Sequence, residues 1–123
     1  MAYTTIDDPS AYFKVQLFTG TGSSNAITFD DTDTDMSPNL VWTKSRSATL
    51  NYNVYDTVRG VNKGVKSNTN EAEFDDAETL KSFDSDGFTV GTDSHINTDG
   101  ATFVSWNWKE SAVSGVDIIS FEG

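Results

Sequence analysis

"ATFVSWNWK", residues 101–109, decides the fold class because it is the clearest β-strand pattern in the chain. Successive side chains of a strand point alternately to its two faces. Because Trp106 and Trp108 share a face with Val104, we expect that face to pack into the core. The two faces are Thr102, Val104, Trp106 and Trp108 on one side, and Phe103, Ser105 and Asn107 on the other.

The residues before this strand read as a β-hairpin and a polar connection. "LKSF" (80–83) and "FTVG" (88–91) are the two arms, and "SDG" (85–87) lets the chain reverse between them. "TDSHINTDG" (92–100) then leads to the next strand and closes with Asp99-Gly100, a strong turn pair. Hairpin construction therefore accounts for the aspartates and glycines of this stretch without a catalytic role.

Short aromatic and β-branched runs recur between turn clusters along the whole chain, which predicts an all-β protein. We expect an antiparallel β-sandwich of concanavalin or jelly-roll type. Only "NEAEFDDAETLKSF" (70–83) offers a helical turn, with Asn70 as its cap. The remaining predicted strands are 12–19, 25–29, 40–44 and 50–56, with a weak or bulged strand in 59–68.

With 123 residues the chain has the length of one domain. We expect an N-terminal arm at 1–11 and the sandwich at 12–110. "GVDIISFEG" (115–123) echoes "YFKVQLFTG" (12–20). Residues 111–123 are therefore either a closing strand beside the first strand or the start of a second, related module.

Charge and composition exclude several classes of function. Nineteen acidic against eight basic residues give a net charge of −11, which disfavours binding to nucleic acid or to anionic membranes. There is no cysteine, and therefore no disulfide or thiolate chemistry. No stretch predicts a signal segment or membrane insertion, so we expect a protein made in the cytosol.

Three carboxylates in "EFDDAE" have the spacing of a glycosidase strand. Glu73, Asp75 and Glu78 fit the Glu-x-Asp-x-x-Glu pattern in which one carboxylate acts as nucleophile and another as acid. The surrounding turn formers and Ala72 and Ala77 favour an exposed acidic connector instead. We therefore expect no catalytic residues and no enzyme.

Two clusters of aspartates are weak candidates for calcium binding. The run "FDDTDTD" lacks the glycine and the terminal glutamate of an EF-hand loop, so a solvated turn before Pro38 is the stronger expectation. No cofactor is predicted, with calcium the one possibility. The candidates are Asp30, Asp31, Asp33 and Asp35 in the first cluster, and Asp84, Asp86, Asp93 and Asp99 in the second.

Two further residue types, histidine and tryptophan, are candidates for ligand contacts. His95 is the only histidine and has no triad spacing around it, so we expect a surface loop residue. Trp42, Trp106 and Trp108 would stack on sugar rings if they were exposed.

The chain resembles the N-terminal module of virion structural or tail-fibre proteins from tailed phages, particularly those of marine bacteria such as cyanobacteria. The resemblance covers most of the chain in order and rests on "MAYTTID", "LFTGTGS", "PNLVWTKSRS", "YDTVRGVNK", "LKSFDSDGFTVG" and "TFVSWNWK". It implies a lectin-like β-sandwich, made in the host cytoplasm and located on the virion. It supplies no catalytic or metal-binding residues, and the ligand-binding residues are unknown.

Two non-enzymatic functions follow from the resemblance. The first is adhesion to host-surface glycan through loops at one end of the sandwich, as part of a tail fibre or surface appendage. The second is a structural module that decorates a capsid or tail or anchors a fibre, with other virion proteins as partners and a homotrimer possible. Exposed aromatics beside polar loop tips favour adhesion, whereas a flat apolar patch or an open strand edge favours assembly.

Overall fold

The computed structural model describes residues 5–31 and 34–123. It confirms the prediction of an all-β antiparallel sandwich, built from two sheets. The elements in chain order are a 3-10 helix Pro9–Ala11, then β1 Phe13–Thr19, β2 Asn25–Thr28, β3 Leu40–Ser45, β4 Asn53–Asp56, β5 Lys63–Lys66, β6 Phe74–Asp75, β7 Leu80–Asp84, β8 Gly87–Val90, α1 Ser94–Asn97 and β9 Thr102–Trp108.

The larger sheet has six strands in the order β1-β9-β3-β4-β5-β6, and the smaller sheet has three in the order β2-β8-β7. The strand quoted first, β9, lies between β1 and β3, so that Trp108 pairs with both Phe13 and Leu40. β1 is an edge strand of the larger sheet. β7 and β8 form the predicted hairpin, in which Asp84 pairs with Gly87 across a two-residue turn.

The hydrophobic core lies where the smaller sheet covers the larger one. Apolar burial of this kind is the main stabilising term in the fold. Phe88 is its aromatic centre, with ring centroids 5.9 Å from Phe18 and 6.4 Å from Phe29. The core consists of Ile27, Phe29, Met36, Val41, Tyr55, Leu80, Phe88, Val90 and Ile96.

The inner face of the larger sheet also buries polar side chains. Most of their polar atoms are hydrogen-bonded, which avoids a large desolvation penalty, whereas the Asn107 Oδ1 has no partner among the described residues. Asn107 donates through Nδ2 to the Lys14 carbonyl oxygen at 3.1 Å and to the Ser105 hydroxyl at 2.9 Å. The Gln16 side-chain oxygen accepts from the Asp30 backbone N–H at 2.9 Å. The buried polar residues of the inner face are Lys14, Gln16, Thr43, Ser45, Asn53, Ser105 and Asn107.

The predicted orientation of β9 is therefore wrong. Trp106 and Trp108 do share a face with Val104, but this face points away from the smaller sheet and its side chains are half-buried. The other face, with Phe103, Ser105 and Asn107, is buried. The inversion is possible because most of the inner polar groups hydrogen-bond to backbone or to one another, which removes much of the cost of burying them.

The helical turn predicted for 70–83 is also wrong. This segment contains β6 and the start of β7. Phe74 pairs with Gly64, and its ring packs edge-on against Tyr55 with centroids 5.9 Å apart. These tertiary contacts outweigh the local helix formers, whose preferences are small.

The polar connection before β9 contains the short helix α1, which the sequence did not reveal. Asp93 caps it, since its Oδ1 accepts from the His95 backbone N–H at 2.8 Å. The connection is held to the core because Ile96 is fully buried.

Residues 111–123 form no strand, so the closing-strand alternative is wrong. Ser111 and Val116 make an isolated bridge around a tight turn, and the chain after it is irregular. Whether this segment begins a second module stays a prediction.

Candidate functional site: an apolar sheet face and a polar pocket

The outward side chains of β1, β9, β3 and β4 form a continuous apolar surface, called here the outer face. Its β1 members are the most exposed, with Phe13, Val15 and Leu17 at 39%, 49% and 53%. Apolar patches of this extent on a protein surface mark interaction sites. The outer face consists of Phe13, Val15, Leu17, Leu40, Trp42, Val54, Val104, Trp106 and Trp108.

The aromatic rings of the outer face pack against one another. Trp42 lies 5.7 Å from Trp106 and 6.4 Å from Trp108, with interplanar angles of 54° and 28°. Phe13 lies 5.0 Å from Trp108 at 47°. Two of these three ring pairs are tilted, so the rings do not form one flat platform, and the side chains around them are aliphatic. This arrangement suits an apolar protein surface better than stacking on a row of sugar rings.

A groove of about 390 Å³ crosses the outer face beside the C-terminal segment. The groove is lined by Leu40, Trp42, Val54, Ser67, Trp108 and Val116. Its lining is almost wholly apolar. The groove gives the outer face relief into which a partner's side chain can fit.

The outer face carries almost no charge although the chain as a whole is strongly acidic. Lys44 is the exception; its ammonium group lies 5.2 Å from the centre of the Tyr52 ring and donates to the Ser45 carbonyl oxygen at 2.8 Å. Asp56 is buried and ion-paired with Arg59. The outer face is therefore a nearly neutral patch within a surface of net charge −11.

A second feature is a pocket of about 180 Å³, called here the polar pocket. It opens on the inner side of β4, β5 and β6, next to the start of α1. Asp93 and Asp76 are held there by hydrogen bonds from the backbone N–H groups of His95 and Glu78, both at 2.8 Å. The pocket is lined by Asn53, Tyr55, Lys66, Phe74, Asp76, Thr79, Asp93 and His95.

The Tyr55 hydroxyl is the unusual group of the polar pocket. Tyr55 is fully buried, and its hydroxyl makes no hydrogen bond to any residue that the structure describes. Burial raises the pKa of Tyr55, and the nearby carboxylates of Asp93 and Asp76 add to that shift. The Thr79 hydroxyl opposes the shift, but it donates its own proton to the Asp76 carbonyl oxygen at 2.7 Å. An unpaired buried donor is costly, so this hydroxyl calls for an explanation.

The three carboxylates of the glycosidase pattern interact with different residues. Glu73 lies 3.0 Å from the Arg59 Nε, and Glu78 accepts from the Thr92 hydroxyl at 2.9 Å. Asp75 lies on β6, where it pairs with Lys63. Hydrogen bonds from the Thr92 hydroxyl and backbone N–H, followed by Lys81, lower the pKa of Glu78 below its ordinary 4.5. A catalytic acid needs a raised pKa, so Glu78 is unsuited to that role.

The lowered pKa of Glu78 predicts a pH-dependent contribution to stability. We expect Glu78→Gln to lower the melting temperature at neutral pH and to have little effect well below pH 4.5. The folded pKa lies below the unfolded one, so the contribution is full above the unfolded pKa and is lost as the pH falls through the folded pKa. Thermal unfolding at both pH values measures this, with exposed Glu122→Gln as the control. Equal losses at the two pH values would contradict it.

The first aspartate cluster gives no support to calcium binding. Asp30 and Asp35 are exposed, Asp31 is partly buried, and Asp33 lies outside the described residues. Within 5–31 and 34–123 there is no group of three or more histidine, cysteine or acidic side chains placed to hold a metal ion.

The aspartates of the second cluster have separate structural roles. Asp84 accepts from the hydroxyls of Ser82 and Thr89, at 2.6 and 2.7 Å. Asp86 accepts from the Met36 backbone N–H at 3.0 Å, Asp93 caps α1, and Asp99 is exposed. The hairpin account of this stretch therefore fits the structure.

His95 is exposed, as expected, but it is in α1 and borders the polar pocket. Its Nδ1 lies 3.4 Å from Asp93 Oδ1. The sequence did not single out Tyr55 or Asp76. Asn53 and Tyr55 of β4 alternate with Val54 and with Tyr52, which directly precedes the strand, and this alternation is the signal that they face the opposite side.

Fold and surfaces together define a small all-β sandwich with an apolar sheet face on one side and a polar pocket on the other. The chain belongs to the family described as Domain of unknown function (DUF7483), whose profile matches residues 8–118. No curated protein and no solved structure matches the chain significantly. Among the helices of the described residues, none has the length and apolar character needed to cross a membrane.

Proposed function

We propose that the chain is a non-enzymatic structural module of a tailed-phage particle, which docks through its outer face onto a neighbouring virion protein. The phage context rests on the sequence resemblance. The docking role rests on one observation: tryptophan, phenylalanine and aliphatic side chains cover the outward side of four adjacent strands. Aromatic anchors surrounded by aliphatic contacts are the usual centre of a protein interface.

Charge indicates what kind of neighbour the outer face takes. The face is nearly neutral, whereas the chain carries nineteen acidic residues. A second copy would bring another charge of −11 close to the first, and like charges oppose such an encounter. The complementary partner has an apolar centre and a basic rim. Association in a homotrimer is the alternative outcome of the test below.

Docking is tested by placing charges on the outer face. Val15→Glu combined with Leu17→Glu is expected to weaken docking at least about 30-fold, the effect of losing an interface anchor worth about 2 kcal/mol. Both side chains are about half exposed, so the melting temperature of the module should change little. The measurement is quantitative mass spectrometry of purified particles from the phage that encodes the chain.

Val58→Glu is the matched control, because Val58 is 44% exposed and lies in the turn after β4. Particles should retain the Val58→Glu chain and lose the double variant. Equal retention of both would overturn docking through the outer face, and absence of the original chain from particles would overturn the virion assignment. Sedimentation of the purified module detects self-association. If the module forms an oligomer that dissociates in the double variant but not in Val58→Glu, the partner is another copy of the chain.

A further inference from the structure

Among the described strands, β1 is the longest that has an unpaired side. It lies at the end of the larger sheet with β9 as its neighbour. The other edge strands are shorter or irregular: β6 has two residues, β2 has four, and β7 has an irregular register and ends in Asp84. Short length, irregularity and charge protect an edge from added strands. The seven residues of β1 include no proline, glycine or acidic side chain, so its edge is the most open to another chain.

The open side of β1 is formed by the backbone groups of its odd-numbered residues. In an antiparallel pair, alternate residues bond to the partner strand. The Tyr12 carbonyl oxygen accepts from the Lys109 N–H at 2.8 Å, and the Gly20 N–H donates to the Ala101 carbonyl oxygen at 2.8 Å. In this register the even-numbered residues bond to β9. The groups that point away from β9 are therefore the N–H and C=O of Phe13, Val15, Leu17 and Thr19.

Several of these outward backbone groups have no hydrogen-bond partner. The carbonyls of Leu17 and Thr19 are capped, because they accept from the side-chain amides of Gln16 and Asn25 at 2.9 and 3.1 Å. No residue that the structure describes bonds to the outward N–H and C=O of Val15, or to the N–H of Leu17. The middle of β1 thus offers a donor and an acceptor in the arrangement that an incoming strand requires.

The charge of Lys14 does not close this edge. An inward-pointing charge on an edge strand usually opposes pairing, because the added strand would bury it. Lys14 is already buried, and its ammonium group lies 3.7 Å from the Asp86 carboxylate and donates to the Thr34 carbonyl oxygen. The charge is therefore compensated within the module before any strand is added.

The side chains beside the open edge indicate the chemistry of an incoming strand. On one side lie Val15 and Leu17 of the outer face, which are about half exposed and call for apolar neighbours. On the other side lies the exposed residue Asp30, whose backbone N–H donates to Gln16 Oε1 at 2.9 Å. Lysine or arginine complements a carboxylate there. Because successive side chains of a strand point to opposite faces, a strand of alternating apolar and basic residues matches both sides.

We propose that the neighbouring virion protein docks by adding a β-strand to the open edge of β1, with apolar side chains beside the outer face and basic side chains beside Asp30. This inference rests on the proposed docking function and names the element that the partner contributes. Main-chain hydrogen bonds supply the affinity in this mode of binding, and alternate side chains supply the specificity. The apolar side of the added strand extends the outer face beyond β1.

The first test is hydrogen exchange of the unmodified chain, free and in purified particles, resolved to single amides by mass spectrometry. In the free module, the amides of Val15 and Leu17 should exchange rapidly, whereas those of Lys14 and Gln16 should be protected by their bonds to β9. In particles, exchange at Val15 and Leu17 should slow at least about 100-fold. Unchanged exchange at these two amides in particles that contain the chain would overturn the proposal.

Val15→Pro is the second test, because it removes an outward N–H and keeps an apolar side chain. Proline is tolerated on an edge strand where the missing N–H faces solvent, so amide spectra should show a folded module. Particles should retain at least about tenfold less of this variant, the effect of an interface hydrogen bond left unmade. Ala26→Pro is the matched control; it removes an outward N–H from the edge strand β2 and should be retained normally.

Failure of strand addition and failure of docking give different results. Loss of the Val15→Glu, Leu17→Glu variant with retention of Val15→Pro would overturn strand addition and leave docking through side chains in place. Retention of both would overturn docking itself. If Val15→Pro does not fold, hydrogen exchange decides, since it uses the unmodified chain. Protection of Val15 and Leu17 that rises with the concentration of the purified module would overturn the choice of partner, because a second copy would then supply the strand.

Discussion

Asp86→Asn is expected to lower the free energy of unfolding by about 3 kcal/mol, the lower end of the cost of breaking a buried ion pair. Asp86 Oδ1 lies 3.7 Å from the Lys14 ammonium group, whose side chain is 2% exposed. The asparagine oxygen can still accept from the Met36 N–H, so the substitution removes chiefly the charge. Lys14 then stays buried against the Thr34 carbonyl and the Phe29 ring, with the carboxylate of Asp8 as the remaining negative charge that interacts with it.

Urea unfolding at neutral pH measures the loss, which corresponds to a fall in melting temperature of roughly 10–15 °C. Lys14→Met in the Asp86→Asn background provides the control. It removes the uncompensated charge while keeping a long apolar side chain, so it should recover part of the loss. A loss below about 1 kcal/mol in Asp86→Asn would show that the Lys14–Asp86 ion pair is no stronger than an exposed surface ion pair.

Gly87→Ala is expected to cost more than about 4 kcal/mol, a size reached only through defined structural conflicts. Gly87 has a φ of +152°, a conformation that residues with a Cβ avoid. A Cβ at this position would lie 1.9 Å from the Ile27 carbonyl oxygen. That oxygen belongs to β2, which pairs with β8 at this point, so neither strand can withdraw without opening the smaller sheet.

Gly100→Ala separates the conformational cost of a positive φ from the steric cost of a Cβ that meets a neighbouring strand. Gly100 has a φ of +73°, and a Cβ there would meet nothing within 4 Å. It should therefore carry only the conformational cost, about 1–2 kcal/mol. Urea unfolding and amide spectra of both variants make the comparison. Equal stability of the two would show that the smaller sheet tolerates a side chain at the hairpin.

Strand positions could be predicted well from the sequence because they follow local patterns. The runs at 12–19, 40–44 and 101–109 each match a strand to within one residue at either end, and "SDG" marks the turn between β7 and β8. β6 could not be predicted, because it consists of two residues held by pairing with β5 and by Phe74 on Tyr55. Long-range contacts of this kind leave no local signature.

Which face of each strand points into the core was harder to predict than where the strands lie. Alternation separates Trp106 and Trp108 from Ser105 and Asn107, but it does not say which set is inside. Hydrophobicity favoured the tryptophans, and the structure places them outside. The polar set is accommodated by hydrogen bonds to β1, as from Asn107 to Lys14. Such pairing across strands depends on register, which the sequence alone does not give.

The two candidate sites were partly visible in advance. The sequence marks the tryptophans as contacts for sugar rings if they are exposed, and His95 as a surface residue. The polar pocket was not, because it combines residues from β4, β5, β6 and α1 and its central group, the Tyr55 hydroxyl, differs from other tyrosines only in lacking a partner. That property exists only after folding.

Because the tryptophans point outward, the solubility of the module depends on its acidic composition. Copies of a protein that exposes the apolar side of a sheet tend to associate during synthesis and purification. Colloidal repulsion from a net charge of −11 opposes this at neutral pH. Near the isoelectric point of about 4.1 the repulsion vanishes, and solubility should reach its minimum there. The acidic residues thus oppose association between copies at neutral pH.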